Sequence, residues 1–280
     1  MSAGQSILAV LLALVVPIVA GSFLRGLDRR LSARMQGRVG PPLLQPVYDI
    51  LKLLGKKSAP ANSFQTAAVW GYLGFIITAT IMFALRQDLL YLVLLLGVAD
   101  IFLVIGAFSV KSPYSHAGAN RELLQMLAYE PILLLAAIAV YLKTGSFLVA
   151  NINTALLPSL IPVFLGLVVV LIIIMRKSPF DIAASEHGHQ EIVKGVMTEY
   201  SGQELAIIEI AHTFELVLVL AIMSLFWPWW GILLALGAWF AVVVIDNITA
   251  RLTWRDMLRL SWVVGLGLGM VNIIGLKIAG

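Results

Sequence analysis

Cysteine is absent from the 280 residues, and charged side chains make up only 12% of them. The first absence excludes disulfides, thiolate metal sites and cysteine-ligated iron–sulfur clusters within the chain, so a redox centre of that kind must sit on a partner. The second, beside a hydrophobic content of 60%, excludes an ordinary soluble domain, in which about a quarter of the residues are charged. No internal repeat divides the chain.

What is present is apolar sequence in long runs. Eight of them, near 6–24, 66–86, 89–110, 123–142, 158–175, 203–226, 230–248 and 258–277, are long enough to cross a hydrocarbon core as helices, which takes about 20 residues each. The sequence predicts an all-α polytopic membrane protein forming one membrane domain over 1–280, with a cytoplasmic connector at 25–65 and an acidic cytoplasmic loop at 176–202. With eight spans, sixteen of the 19 Lys and Arg residues fall on one side, and only Arg86, Lys143 and Lys277 on the other. The cation-rich side is expected in the cytoplasm, which puts both termini outside a multi-pass protein of the inner (cytoplasmic) membrane. The net charge of +4 is then a topology signal, not a nucleic-acid footprint. No Lys or Arg precedes the first run, and Arg25, Arg29 and Arg30 follow it, so it is expected to stay as an anchor rather than be cleaved.

The connector's second half predicts an amphipathic interfacial helix. Leu43, Val47, Ile50, Leu51 and Leu54 recur at helical spacing, while Gln45, Asp49, Lys52 and Lys56 take another face. Pro41 and Pro42 suit its first turn and Gly55 its end. Such a helix lies on anionic lipid or docks a cytoplasmic subunit. Asp100, midway through the third run, is expected to face the bundle, either as a structural hydrogen-bonding group or in ion movement. Pro131 cannot donate to the carbonyl of Leu127, so the fourth helix is weakened one residue after Glu130. Glu130 there is either a proton or cation stop, or the partner of a cation such as Arg121 beside a packed kink.

Polar chemistry concentrates between Ser178 and Gly202, where Asp181, Glu186, His187, His189, Glu191, Lys194 and Glu199 crowd one loop. Imidazole and carboxylate are normal metal donors. With no HExxH or thiolate spacing, however, the loop reads as hydrogen-bonded and no metal site is assigned. The sixth run carries Glu204, then Glu209, His212 and Glu215 three apart along one side. Glu215 is expected near mid-bilayer, and three ionisable groups facing lipid would cost on the order of 8–10 kcal/mol. The stripe must therefore face protein or water. Asp246 ends the seventh run, and Arg251, Arg255, Asp256 and Arg259 follow it.

Four motifs, GRVGPPLLQPVYDILKLLGK at 37–56, NRELLQMLAYEP at 120–131, SPFD at 178–181 joined to EIVKGVMTEYSG at 191–202, and RLTWRDMLRLSW at 251–262, resemble the H subunit family of NADH-quinone oxidoreductase (complex I subunit 1). The likeness runs nearly end to end. The link SEHGHQE at 185–191 is more similar to the corresponding subunit of energy-converting membrane-bound [NiFe] hydrogenases. The resemblance implies a subunit, not catalytic alone, that joins a peripheral hydrogenase-like arm and iron–sulfur subunits to antiporter-like subunits that pump protons or sodium. It implies no cofactor in this chain, with iron–sulfur and nickel–iron centres on partners and quinone in the alternative of complex I proper. Its candidate ion path comprises Asp100, Glu130, Asp181, Glu186, Glu191, Glu199, Glu204, Glu209, His212, Glu215 and Asp246. Arg34, Arg38, Asp49, Arg121, Arg251 and Arg255 are candidates for docking or as counter-ions, and His187 and His189 mark the loop. An independent ion transporter and a passive anchor are the readings from other classes.

Overall fold

A computed structural model describes residues 3–180 and 195–279. Asp181, Glu186, His187, His189, Glu191 and Lys194 lie outside the described residues. Among the described residues, seven helices are long and apolar enough to cross a membrane: α1 Ala3–Met35, α3 Ser63–Ala84, α4 Leu89–Phe108, α5 Pro113–Thr144, α7 Gly202–Ser224, α8 Gly231–Ile248 and α9 Trp254–Ile278. The amphipathic α2, Gln45–Leu54, and the shorter α6, Ile161–Ile174, complete the set. This is an all-α, multi-pass membrane fold.

Three expectations need correction. The first span does not stop near residue 24: α1 continues through the basic stretch to Met35, because Arg25 and Asp28 find partners inside the bundle and need not reach water. α5 likewise begins at Pro113 rather than near 123, with Ser112 capping its first turn and proline at a position that needs no N–H. Pro41 and Pro42 lie ahead of α2, where Pro46 takes the place expected of them in the first turn. Gly55 does close that helix.

α6 has 14 residues, about 21 Å of helix, which is less than the roughly 30 Å of a hydrocarbon core. It tolerates that length because its neighbours cover it. Residues from Val163 to Ile173 are mostly buried, and α5, α7, α8 and α9 pack around it. Its entry turn is pinned where the Leu156 and Leu157 N–H groups both donate to the Phe226 carbonyl at 3.0 Å.

Helix ends aim two arginines. α1 and α5 are followed by Gly37 and Gly145 at φ of 69° and 73°, the left-handed conformation that glycine adopts without steric cost. At the ends of α3 and α6 the same conformation is held by Arg86 and Arg176, at 55° and 54°. Both ends close with paired bonds, Arg86 N–H to Phe83 and Gln87 N–H to Met82, and Arg176 N–H to Ile173 and Lys177 N–H to Ile172. A side chain there costs about 1 kcal/mol relative to glycine, so each arginine is kept against a local preference.

Candidate functional site

The stripe on α7 turns out to be one wall of a polar row between α1, α3, α5 and the end of α6. Glu209 receives Arg25 of α1 at 2.8 Å. One turn further, His212 accepts a hydrogen bond on Nε2 from Arg176 at 3.0 Å. Arg176 also pairs with Glu122 of α5 at 3.3 Å. At the third step the hydroxyl of Tyr72 on α3 donates to Glu215 at 3.2 Å, and the Tyr72 ring meets His212 edge-on with centroids 6.0 Å apart. Protein, not lipid, faces the stripe.

Beyond Glu215 lies Asp100 on α4, buried and hydrogen-bonded by the hydroxyl of Tyr129 on α5. Glu130, the neighbour of Tyr129, lies against Gly97 of α4, where a Cβ would collide with its carboxylate. The row thus extends from the basic end of the bundle to its middle.

At the basic end the row meets a buried ion cluster. Lys177, 3% exposed, reaches Asp28 of α1 at 2.9 Å and Asp246 of α8 at 3.2 Å. Asp246 also accepts the Ser178 N–H at 2.9 Å, and Ser32 donates to Asp28 at 3.4 Å. Between this cluster and the stripe is a cavity of about 30 Å³ bordered by Arg25, Asp28, Arg176, His212 and Trp239. It has room for one or two waters and is too small for an organic ring. A larger cavity of about 380 Å³ opens at the basic end between Arg29, Ser32, Gln36, Arg38 and Lys177. Its volume falls within the range of small-molecule sites.

Other predicted residues stand apart from the row. Glu204 is buried at the start of α7 and accepts from Thr66 of α3. Burial, and after it the Glu204 charge, holds the nearby Tyr200 phenol above its ordinary range. The Glu199 carbonyl receives the Gln65 amide at 3.3 Å. Asp49 of α2 pairs with Arg29 at 3.1 Å, tying that helix to α1. Arg34, Arg38, Arg121, Arg251 and Arg255 are exposed, and Arg255 lies over the Trp254 ring. Among the described residues, buried acids of the row pair with Arg25, Arg176 and Lys177.

Sequence reasoning counted those three cations only as topology signals, and it missed Asp28, Tyr72, Glu122 and Tyr129. One signal was available. No proline interrupts residues 18–40, so a helix continuing past residue 24 would have put Arg25 and Asp28 on one face. Among the described residues no group of three or more His, Asp and Glu side chains is arranged to hold a metal ion.

Over residues 7–277 the chain matches the family model described as NADH dehydrogenase. The chain belongs to the NADH dehydrogenase family. Relatives of this family include formate hydrogenlyase subunit 4 of Escherichia coli K12, 29% identical over 98% of this chain and 100% of that protein. The H subunit of the NADH-quinone oxidoreductase of Bacillus cytotoxicus is 30% identical over 88% of this chain and 85% of its own length. Among solved structures, a chain of the membrane-bound sulfane sulfur reductase, an archaeal respiratory membrane complex, superimposes with a TM-score of 0.83 at 25% identity, covering 97% of this chain and 99% of that one.

Proposed function

We propose that this NADH dehydrogenase family member is the membrane subunit through which a complex I-like oxidoreductase passes the effect of its redox chemistry to ion-translocating subunits. The observation that carries this reading is the row of buried groups Asp28–Lys177–Asp246, Arg25–Glu209, His212–Arg176–Glu122, Tyr72–Glu215 and Tyr129–Asp100. Burying such a set is costly unless each charge is paired, and intramembrane ionisable groups mark ion and proton pathways. Carboxyls outnumber cations in the row, which leaves groups that can take up and release protons as the electrostatics of the basic end changes.

In this reading the basic end faces the cytoplasm of the inner membrane, as its excess of Lys and Arg favours. There α1, α2 and the loop before α7 receive a peripheral arm with hydrogenase-like and iron–sulfur subunits, and antiporter-like subunits lie alongside in the membrane. This chain supplies no metal and is not catalytic alone. The end-to-end match to formate hydrogenlyase subunit 4 supports the hydrogenase-type arm. The relatives from NADH-quinone oxidoreductases favour a second reading, in which quinone enters by the larger cavity at the basic end.

The test uses inverted vesicles bearing the whole complex, with electron-donor oxidation and ion uptake measured together. Glu215→Gln keeps the size of the side chain and removes its proton exchange. The expected result is a lost ion gradient with the complex assembled and electron transfer retained or slowed. Wild-type ion uptake per electron in that variant overturns the proposal.

A further inference from the structure

A cavity larger than those along the polar row stands at the other end of the bundle. Its volume is about 570 Å³, and it is walled by the end of α3, the turn after it, the Val149–Asn151 turn and the aromatic turn between α7 and α8. Both sides are built rather than loose. The turn after α3 is fastened to the 147–151 segment by Leu89 N–H to Phe147 at 2.9 Å, Val149 N–H to Gln87 at 3.1 Å and Ala150 N–H to Arg86 at 3.3 Å. The opposite side is held by the Leu156 and Leu157 bonds to Phe226.

Arg86 lines this cavity with Asn153, Ser224 and Trp227, and among the described residues it is the lining's one charged side chain. It also occupies a left-handed cap where glycine would be less strained. Arg176, the other non-glycine residue so held among those described, uses that conformation at the centre of the polar row. Below the cavity the exposed face of α8 carries Ile232, Leu236 and Phe240 at spacings of four, with Ile232 72% exposed, and Trp229 at the rim is 90% exposed. A cation above an apolar track, beside interfacial tryptophan, matches a phosphate headgroup with acyl chains beneath it.

We propose that this cavity is a binding site for an anionic phospholipid, with the headgroup phosphate at Arg86 and an acyl chain along Ile232, Leu236 and Phe240. Free phosphate would use the cation but not the track. A lipid uses both.

The test is retention of lipid by the native complex, delipidated in detergent and then offered phosphatidylglycerol or phosphatidylcholine, with bound lipid counted by native mass spectrometry. The expected result is about a fivefold preference for phosphatidylglycerol, lost in Arg86→Gln and largely kept in Arg86→Lys. Arg86→Gly relieves the backbone strain and should lose the lipid preference while the complex remains assembled. Equal retention of both lipids by the wild type, an unchanged preference in Arg86→Gln, or displacement of the lipid by millimolar inorganic phosphate would each overturn the proposal. Wild-type complex that retains no lipid because another subunit fills the cavity would overturn it as well.

Discussion

At the scale of single residues, Arg176 shows how local strain is exchanged for a buried contact. Glycine in its place would relax the cap by about 1 kcal/mol. It would also leave Glu122 and His212 without the guanidinium they share, and breaking a buried pair costs about 3–5 kcal/mol. Arg176→Gly should therefore destabilise the complex by about 2–4 kcal/mol, the difference of those two figures, seen as a lower thermal midpoint in detergent. A raised midpoint would mean that the ion pair contributes nothing. Arg176→Lys should fall between, because an ammonium keeps the charge but not the planar fork that reaches two partners. The α7 wall of this site was legible in the sequence, since Glu209, His212 and Glu215 recur at helical spacing in oil, whereas Asp28 and Glu122 were not. The cationic partners were hidden too. Arg25, Arg176 and Lys177 stand at the ends of apolar runs, where composition assigns cations to the water boundary, and only the continued α1 and the left-handed cap turn them inward. Tyr72 and Tyr129 were hidden for another reason, because an aromatic in a span reads as packing until its hydroxyl is seen to meet a carboxylate.

At the scale of elements, the weak point of α5 is repaired from outside the helix. Pro131 leaves the Leu127 carbonyl without its intrahelical donor, and the indole N–H of Trp262 on α9 donates to it at 3.1 Å. Trp262 lies in the Ser261–Gly267 stretch, where α9 is wound as a π-helix. Trp262→Phe should cost about 1–2 kcal/mol, the penalty of an unmet polar group, whereas Pro131→Ala restores the helix's own donor. In a double-mutant cycle, Trp262→Phe should cost clearly less in the Pro131→Ala background than alone. Strict additivity of the two thermal shifts would show that the indole bond does not compensate the proline. The break at Pro131 could be read from the sequence. Its remedy could not, because the donor is 135 positions away from Leu127 and nothing in a lone tryptophan indicates the carbonyl it will serve. α6 shows the converse. Its apolar run suggested a full span, and only its neighbours reveal why 14 residues suffice.

For the whole molecule, the Asp28–Lys177–Asp246 cluster joins α1, the end of α6 and α8, three parts brought together by the fold alone. Lys177→Met should take the shared ammonium from two buried carboxylates and cost about 3–5 kcal/mol. Adding Asp28→Asn and Asp246→Asn should recover most of that loss, since apolar or neutral replacements of a whole buried ion set are close to neutral. Thermal unfolding of the assembled complex measures both. Failure of the triple variant to recover would show that Lys177 contributes something other than charge pairing. The same cluster also constrains how the protein is made. Asp28 leaves the ribosome long before Lys177, and Lys177 before Asp246, so these ion pairs form only after the chain has been made through α6 and then through α8. Asp28 can meet Lys177 once α6 is in place, and Asp246 joins them only when α8 has followed. The order of translation thereby makes this cluster close late, with only α9 still to come after Asp246.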